Sequence, residues 1–147
     1  MSELTVKGKA AKAASFEMVS KTTSKKNEAL LKIADQLLID QEQLIAENNK
    51  DLQKGEAAGL PTSTLDRIML NEKRISDMAD ALRLLVDLKD PIGDTLETIT
   101  KENGLLIEKK RVPLGVIGMI YEARPNVTVD AATLALKTGN CVILKGS

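Results

Sequence analysis

Two polar clusters stand directly behind apolar runs near the end of the sequence, and their residue types invite chemistry. Tyr121-Glu122-Ala123-Arg124-Pro125-Asn126 follows the uncharged run 113–120, and Lys145-Gly146-Ser147 follows Cys141-Val142-Ile143-Leu144. Asn126 offers an amide donor that does not titrate, which suits a carbonyl oxygen gathering negative charge in acyl chemistry. Helix capping after Pro125 is the commoner role for such an Asn. Arg124 can clamp a carboxylate or phosphate through two parallel hydrogen bonds, or it can pair with Glu122 or Asp130. Lys145 can donate to a ribose hydroxyl or a phosphate, or simply be a solvated strand end. Gly146 and Ser147 can open a helix whose first amides bind phosphate.

Composition removes several other chemistries. There is no His, so an imidazole base, a Ser-His-Asp triad and a His-ligated metal are excluded within these residues. Cys141 is the single cysteine; it cannot form an internal disulfide, and with no cation evident beside it packing outweighs nucleophilic catalysis. Gly115 and Gly118 precede or lie within an apolar run instead of the turn after it, which rejects a dinucleotide fingerprint. Lys plus Arg equals Asp plus Glu at 21 each, so no net field draws nucleic acid or an anionic membrane. One Phe, one Tyr and no Trp leave little to stack on bases. The best apolar run, 114–121, falls far short of the roughly 20 residues that span a bilayer, and the start of the chain lacks the apolar core of a signal peptide. A cytoplasmic protein is expected.

The elements that must position these residues follow from periodicity. Apolar residues recur at three and four positions through the first two-thirds, which predicts helices. Leu30, Ala34, Leu37 and Leu38 form one face, with Ser24 placed as its N-cap. Asp40 and Gln43 resemble a capping box opening a second helix with Leu44, Ile45 and Leu52, which ends near Gly59-Leu60-Pro61. Thr62 or Ser63 starts a short helix, and Asn71 caps another bearing Ile75, Met78, Ala79, Leu82 and Val86 until Pro91 and Gly93 stop it. The many Lys and Glu side chains here read as a solvated face. After Pro91, "TLETIT", "KENG" and "LLIEKKRV" read as an exposed hairpin. "GVIGMIY" then reads as a strand covered on both faces, followed by a helix with Val127, Ala131, Leu134 and Ala135 on one side and Gly139 as its stop. "NCVILKGS" supplies the next strand. The fold class is therefore α/β, with helices, a β-hairpin and a βαβ unit, whose ligands belong beyond the carboxyl ends of its strands.

The stretch "PLGVIGMIYEARPNVTVDAATLALKTGNCVILKGS", with "LDRIMLNEKRISDMADALRLLVDLKDPIG" and "VKGKAAKAAS" upstream, resembles the gamma-glutamyl phosphate reductase family of the aldehyde dehydrogenase superfamily. The resemblance covers nearly the whole chain. It implies NADPH-dependent reduction of L-glutamyl 5-phosphate to L-glutamate 5-semialdehyde with phosphate release, a step of proline biosynthesis. It also implies an oxyanion role for Asn126, a ribose or 2′-phosphate role for Lys145, with Gly146 and Ser147 beside it at the NADP site, and a substrate-anion role for Arg124. The family's nucleophilic Cys lies beyond residue 147, and Cys141 does not match its motif. Residues 1–90 would form the helical part of an incomplete aldehyde-dehydrogenase-type cofactor-binding domain, 91–113 a hairpin for homo-oligomer contacts, and 114–147 its first βαβ unit. Functional coupling to a glutamate 5-kinase is a further implication.

These expectations describe an N-terminal portion that is inactive alone, with an exposed sheet edge at Val116, Ile117, Val142 and Ile143 and marginal stability. A stand-alone helical interaction or nucleotide-binding module is the competing reading. Glu122-Ala123-Arg124 ahead of Pro125-Asn126 argues, by resemblance, against a third, an NAD-linked oxidation of a free aldehyde.

Overall fold

Spacing of apolar residues by three and four dictates most of what the computed structural model shows across residues 2–122 and 124–146. Five helices come first: α1 Glu3–Met18, α2 Thr23–Ile39, α3 Gln41–Ala57, α4 Thr62–Ile68 and α5 Glu72–Asp87. Then follow β1 Thr95–Thr100, β2 Leu106–Lys110, β3 Val116–Ile120, α6 Pro125–Lys137 and β4 Cys141–Lys145. Among the described residues, no helix is long and apolar enough to cross a membrane.

The core sits where α2, α5 and α6 meet. Leu30 and Ala34 of α2 and Ile75, Ala79 and Leu82 of α5 are almost wholly buried, and Leu37, Leu38 and Val129 pack around them. Each such Leu or Ile contributes about 1.5–3 kcal/mol by leaving water. Asn71 caps α5 as expected, its Oδ1 accepting from the Arg74 N–H at 2.8 Å. Two other expected caps differ. Thr22, not Ser24, caps α2 by accepting from the Lys25 N–H at 3.2 Å. Asp40 precedes α3 without capping it; its carboxylate accepts from Gln36 Nε2 at 2.7 Å instead. The short α4 starts behind Pro61, whose carbonyl accepts from Thr64 and Leu65.

The buried residues of α3 are Asn48 and Gly55, whereas Leu44, Ile45 and Leu52 are only half-buried. Asn48 donates to the Ile68 carbonyl at 2.9 Å and accepts from the Leu70 N–H at 2.7 Å, fixing the link between α4 and α5. A Cβ on Gly55 would come 2.9 Å from Leu65 Cδ2 and 3.1 Å from Leu60 Cδ1, so α4 and the turn before it pack closely on α3 at this glycine.

The solvated-face reading of the lysines in the first five helices fails at Lys26, and a second lysine, on α6, is buried as well. Lys26 is 3% exposed and its Nζ lies 2.5 Å from Asp90 Oδ2, itself 6% exposed. Lys137 is equally buried at the end of α6, where Nζ donates to Asn27 Oδ1 at 2.9 Å and to the Val86 carbonyl at 3.0 Å. Val86 lies in the last turn of α5, whose carbonyls carry the helix's negative end, so the ammonium is stabilised there.

β1 and β2 pair antiparallel with a bulge between Thr95 and Glu97, and every residue of the ribbon is exposed. β3 and β4 pair in parallel register from Val116 opposite Cys141 to Ile120 opposite Lys145, with α6 as crossover. Gly139 ends α6 at φ +68°, a conformation that favours glycine, and Asn140 Oδ1 accepts from the Gly115 N–H at 2.8 Å to set the start of the pair. Val116, Ile117, Val142 and Ile143 are half-buried, with α1 against both strands and α6 against β4. Coverage on both faces is incomplete, because Gly118 is exposed and Ile120 is 87% exposed.

Candidate functional site

Parallel register delivers both polar clusters to one rim. Ile120 and Lys145 are opposite each other, and the Tyr121 N–H extends the ladder by donating to the Lys145 carbonyl at 3.1 Å. Tyr121 then fixes both exits. Its hydroxyl lies 2.6 Å from Thr128 Oγ1 on α6, and a Cβ on Gly146 would sit 3.3 Å from that same hydroxyl. Sequence reasoning gave Tyr121 no role; its isolation as the single Tyr, directly behind a strand, was the available signal.

Arg124 takes the extended conformation that a following Pro imposes, with φ −133° and ψ 105°, and stands at the N-cap position of α6 with Pro125 at its first turn. Asn126 is inside the helix, so the capping role expected for it is not the one it plays. Its side chain lines a cleft of about 440 Å³ with Arg74, Met78, Ala81, Arg124 and Asp130. Arg124 is exposed, and among the described residues neither Glu122 nor Asp130 lies within ion-pair distance of it. It also borders an adjoining cleft of about 550 Å³ with Arg67, Ile68, Tyr121 and Val127.

Asp130 stands one helical turn after Asn126. Burial pushes its carboxyl above the usual carboxylate range, and the neighbouring Asn126 side chain opposes that shift. Arg74, by contrast, is committed: it donates to Asp66 Oδ1 at 2.9 Å, to the Met69 carbonyl at 2.9 Å and to the Asp66 carbonyl.

Lys145 is exposed at the end of β4 and lines a groove of about 750 Å³ with Leu4, Lys7, Ile120, Ile143 and Gly146. Lys7 pairs with Glu3 at 2.6 Å, and the hydrogen bond and charge of Lys7 hold the Glu3 carboxyl below its ordinary value, with a smaller pull from Lys145. Asn126 thus opens toward α5 and Lys145 toward α1, while Arg124 and Gly146 share a third cleft that also includes Tyr121 and Thr128. Ser147 lies outside the described residues. Cys141 starts β4 at the end away from the rim; four residues of strand put it about 13 Å from Lys145. It is therefore remote from the groups gathered there.

No family model matches the sequence. Over all 147 residues the chain is 64% identical to the gamma-glutamyl phosphate reductase of Bacillus subtilis (strain 168) and 60% identical to that of Bacillus velezensis, spanning 35% of each. It superposes on the crystal structure of gamma-glutamyl phosphate reductase from Thermotoga maritima with a TM-score of 0.97 at 41% identity, covering 99% of this chain and 35% of that one. The corresponding enzyme of Saccharomyces cerevisiae matches with a TM-score of 0.94 at 28% identity, over 100% of this chain and 38% of that one. The chain spans about a third of the length of the curated relatives it matches and is homologous to their N-terminal part.

Proposed function

We propose that these residues form the N-terminal part of a gamma-glutamyl phosphate reductase, in which L-glutamyl 5-phosphate is reduced by NADPH to L-glutamate 5-semialdehyde and phosphate. The observation that carries this reading is the parallel register of β3 and β4, which brings the segments holding Arg124 and Asn126 and holding Lys145 and Gly146 out at the same end of the pair, where Arg124 and Gly146 share a cleft. In such sheets ligands collect at that end.

Each residue then has a task its position allows. The Asn126 amide donates to the acyl oxygen as negative charge develops there, a neutral donor that does not need to change protonation. Arg124, with no carboxylate partner among the described residues, holds the phosphate of the substrate. The groove between β3, β4 and α1 sets Lys145, with the Lys7–Glu3 pair beside it, against an apolar floor of Leu4, Ile120 and Ile143, so Lys145 is the cation that would meet a phosphorylated nucleotide there. There Lys145 and Gly146 would hold the cofactor, and bound NADPH supplies hydride to the acyl carbon. The thiol that displaces phosphate comes from residues outside these 147. In this reading residues 1–90 and 114–147 belong to the cofactor part and 91–113 form a self-association ribbon, consistent with exposed Leu96, Ile99, Leu105, Leu106 and Ile107. A cytoplasmic enzyme fed by a glutamate 5-kinase completes the reading.

The test joins this chain to the remainder of the Bacillus subtilis relative and follows NADPH oxidation with L-glutamyl 5-phosphate. Asn126→Ala is expected to lower kcat by about 100- to 1000-fold. An unchanged kcat overturns the oxyanion role, and an inactive unsubstituted chimera overturns the reductase reading.

A further inference from the structure

The cleft between α5 and the start of α6 contains charges of both signs, and most are already matched. Arg74 is paired with Asp66 and Asp77 with Lys73 at 3.0 Å. Arg67, Arg124 and Asp130 remain without an ion-pair partner among the described residues, the last two at either side of Asn126. Asp130 is half-buried, and a carboxylate that loses hydration without gaining a cation is costly to keep. Such a group is explained if a cation arrives with a ligand.

Spacing identifies that cation. Residues four apart on a helix rise about 6 Å along its axis. In an extended γ-acyl amino acid, the acyl carbon and the α-nitrogen are separated by four covalent bonds, roughly 5 Å. A substrate whose acyl oxygen meets Asn126 therefore brings its amine to Asp130 when it lies along α6. Arg124, before Asn126, is then on the phosphate side.

We infer that Asp130 receives the α-ammonium of the substrate and makes the site selective for an acyl phosphate bearing a free amine. This rests on the reductase reading above and adds to it a residue that distinguishes an amino-acid substrate from its deaminated counterpart. The carboxylate accepts the ammonium protons in a charge-assisted contact, and an analogue without the amine leaves the half-buried carboxylate without a cation.

The chimera with the Bacillus subtilis remainder is assayed with L-glutamyl 5-phosphate and with glutaryl phosphate, which lacks the amine. The unsubstituted protein should favour the aminated substrate by about 10- to 100-fold in kcat/KM. Asp130→Asn should raise the KM for L-glutamyl 5-phosphate by a similar factor while moving that of glutaryl phosphate far less, so the preference collapses. Equal use of the two substrates by the unsubstituted protein overturns the inference without any variant. Parallel losses on both substrates in Asp130→Asn overturn it too, assigning Asp130 to the placement of Asn126. Either result leaves the reductase reading standing, whereas no turnover of either substrate by the unsubstituted chimera removes both.

Discussion

Replacing Lys26 by Met keeps the length of the side chain but strands the carboxylate of Asp90. The pair is 2.5 Å apart, with 3% and 6% of the two side chains exposed, so water cannot take over. Breaking a buried pair by removing one partner costs about 3–5 kcal/mol. Asp90 keeps the Thr23 hydroxyl at 2.8 Å and the Ile92 N–H at 3.0 Å, which places the cost near the lower end, about 3 kcal/mol. Against about 7–20 kcal/mol for a domain of this size, that is a large share. The pH dependence follows from the same contacts. Burial raises the Asp90 pKa, but the Lys26 hydrogen bond, the Ile92 N–H, the Thr23 hydroxyl and the Lys26 charge outweigh it, and the net direction is down. A depressed folded value means the stabilisation is present above the unfolded pKa of about 3.9 and is lost as pH falls through the folded value. In the variant the pull of Lys26 is gone, Asp90 protonates more readily, and the penalty fades on acidification. Urea titrations followed by far-ultraviolet circular dichroism at neutral pH and near pH 4 measure both quantities. A loss under about 1 kcal/mol at neutral pH, or one that does not shrink with acid, refutes the buried-pair account.

Asn48→Ala removes the bonds to Ile68 and Leu70 together and leaves a carbonyl and an N–H short of partners; we expect a loss of about 2–3 kcal/mol in urea titration with an unchanged m-value. Gly139→Ala forces a Cβ onto a residue at φ +68° and within 3.0 Å of Pro113 Cγ, and a loss of about 1–2 kcal/mol is expected in the same assay.

Helix existence was legible because it is a property of spacing, and the face of Leu30 and Ala34 is indeed core. The hairpin and the parallel pair were legible for the same reason, as their turn residues and apolar runs are contiguous. The N-cap of α2 was not. Thr22, Thr23 and Ser24 are all competent caps. What selects Thr22 is distant: the Thr23 hydroxyl bonds Asp90, which anchors the second residue and leaves the first to cap. Lys26 escaped notice for a related reason, since its burial depends on Asp90 far along the chain and no local pattern announces it.

The phase of α6 decides what the site contains, and it shows why an apolar pattern alone misplaces it. An apolar stripe through Val127, Ala131, Leu134 and Ala135 suggests one buried face; Ala135 is indeed buried, yet Leu134 is 53% exposed. Beside Ala135, the inward side of α6 is the stripe of Val129, Thr133 and Lys137, two of whose members are polar. Both are satisfied in place: the Thr133 hydroxyl donates to the Val129 carbonyl at 2.8 Å, and Lys137 is held by Asn27 and Val86. Their bonds make polar side chains acceptable in the core, and so they fix the rotation of the helix. Turning the stripe of residues 129, 133 and 137 inward brings the adjacent one, Asn126, Asp130 and Leu134, to the clefts beside α5. Asn126 therefore reaches the candidate site through a lysine three turns away that a reading by hydropathy assigns to solvent.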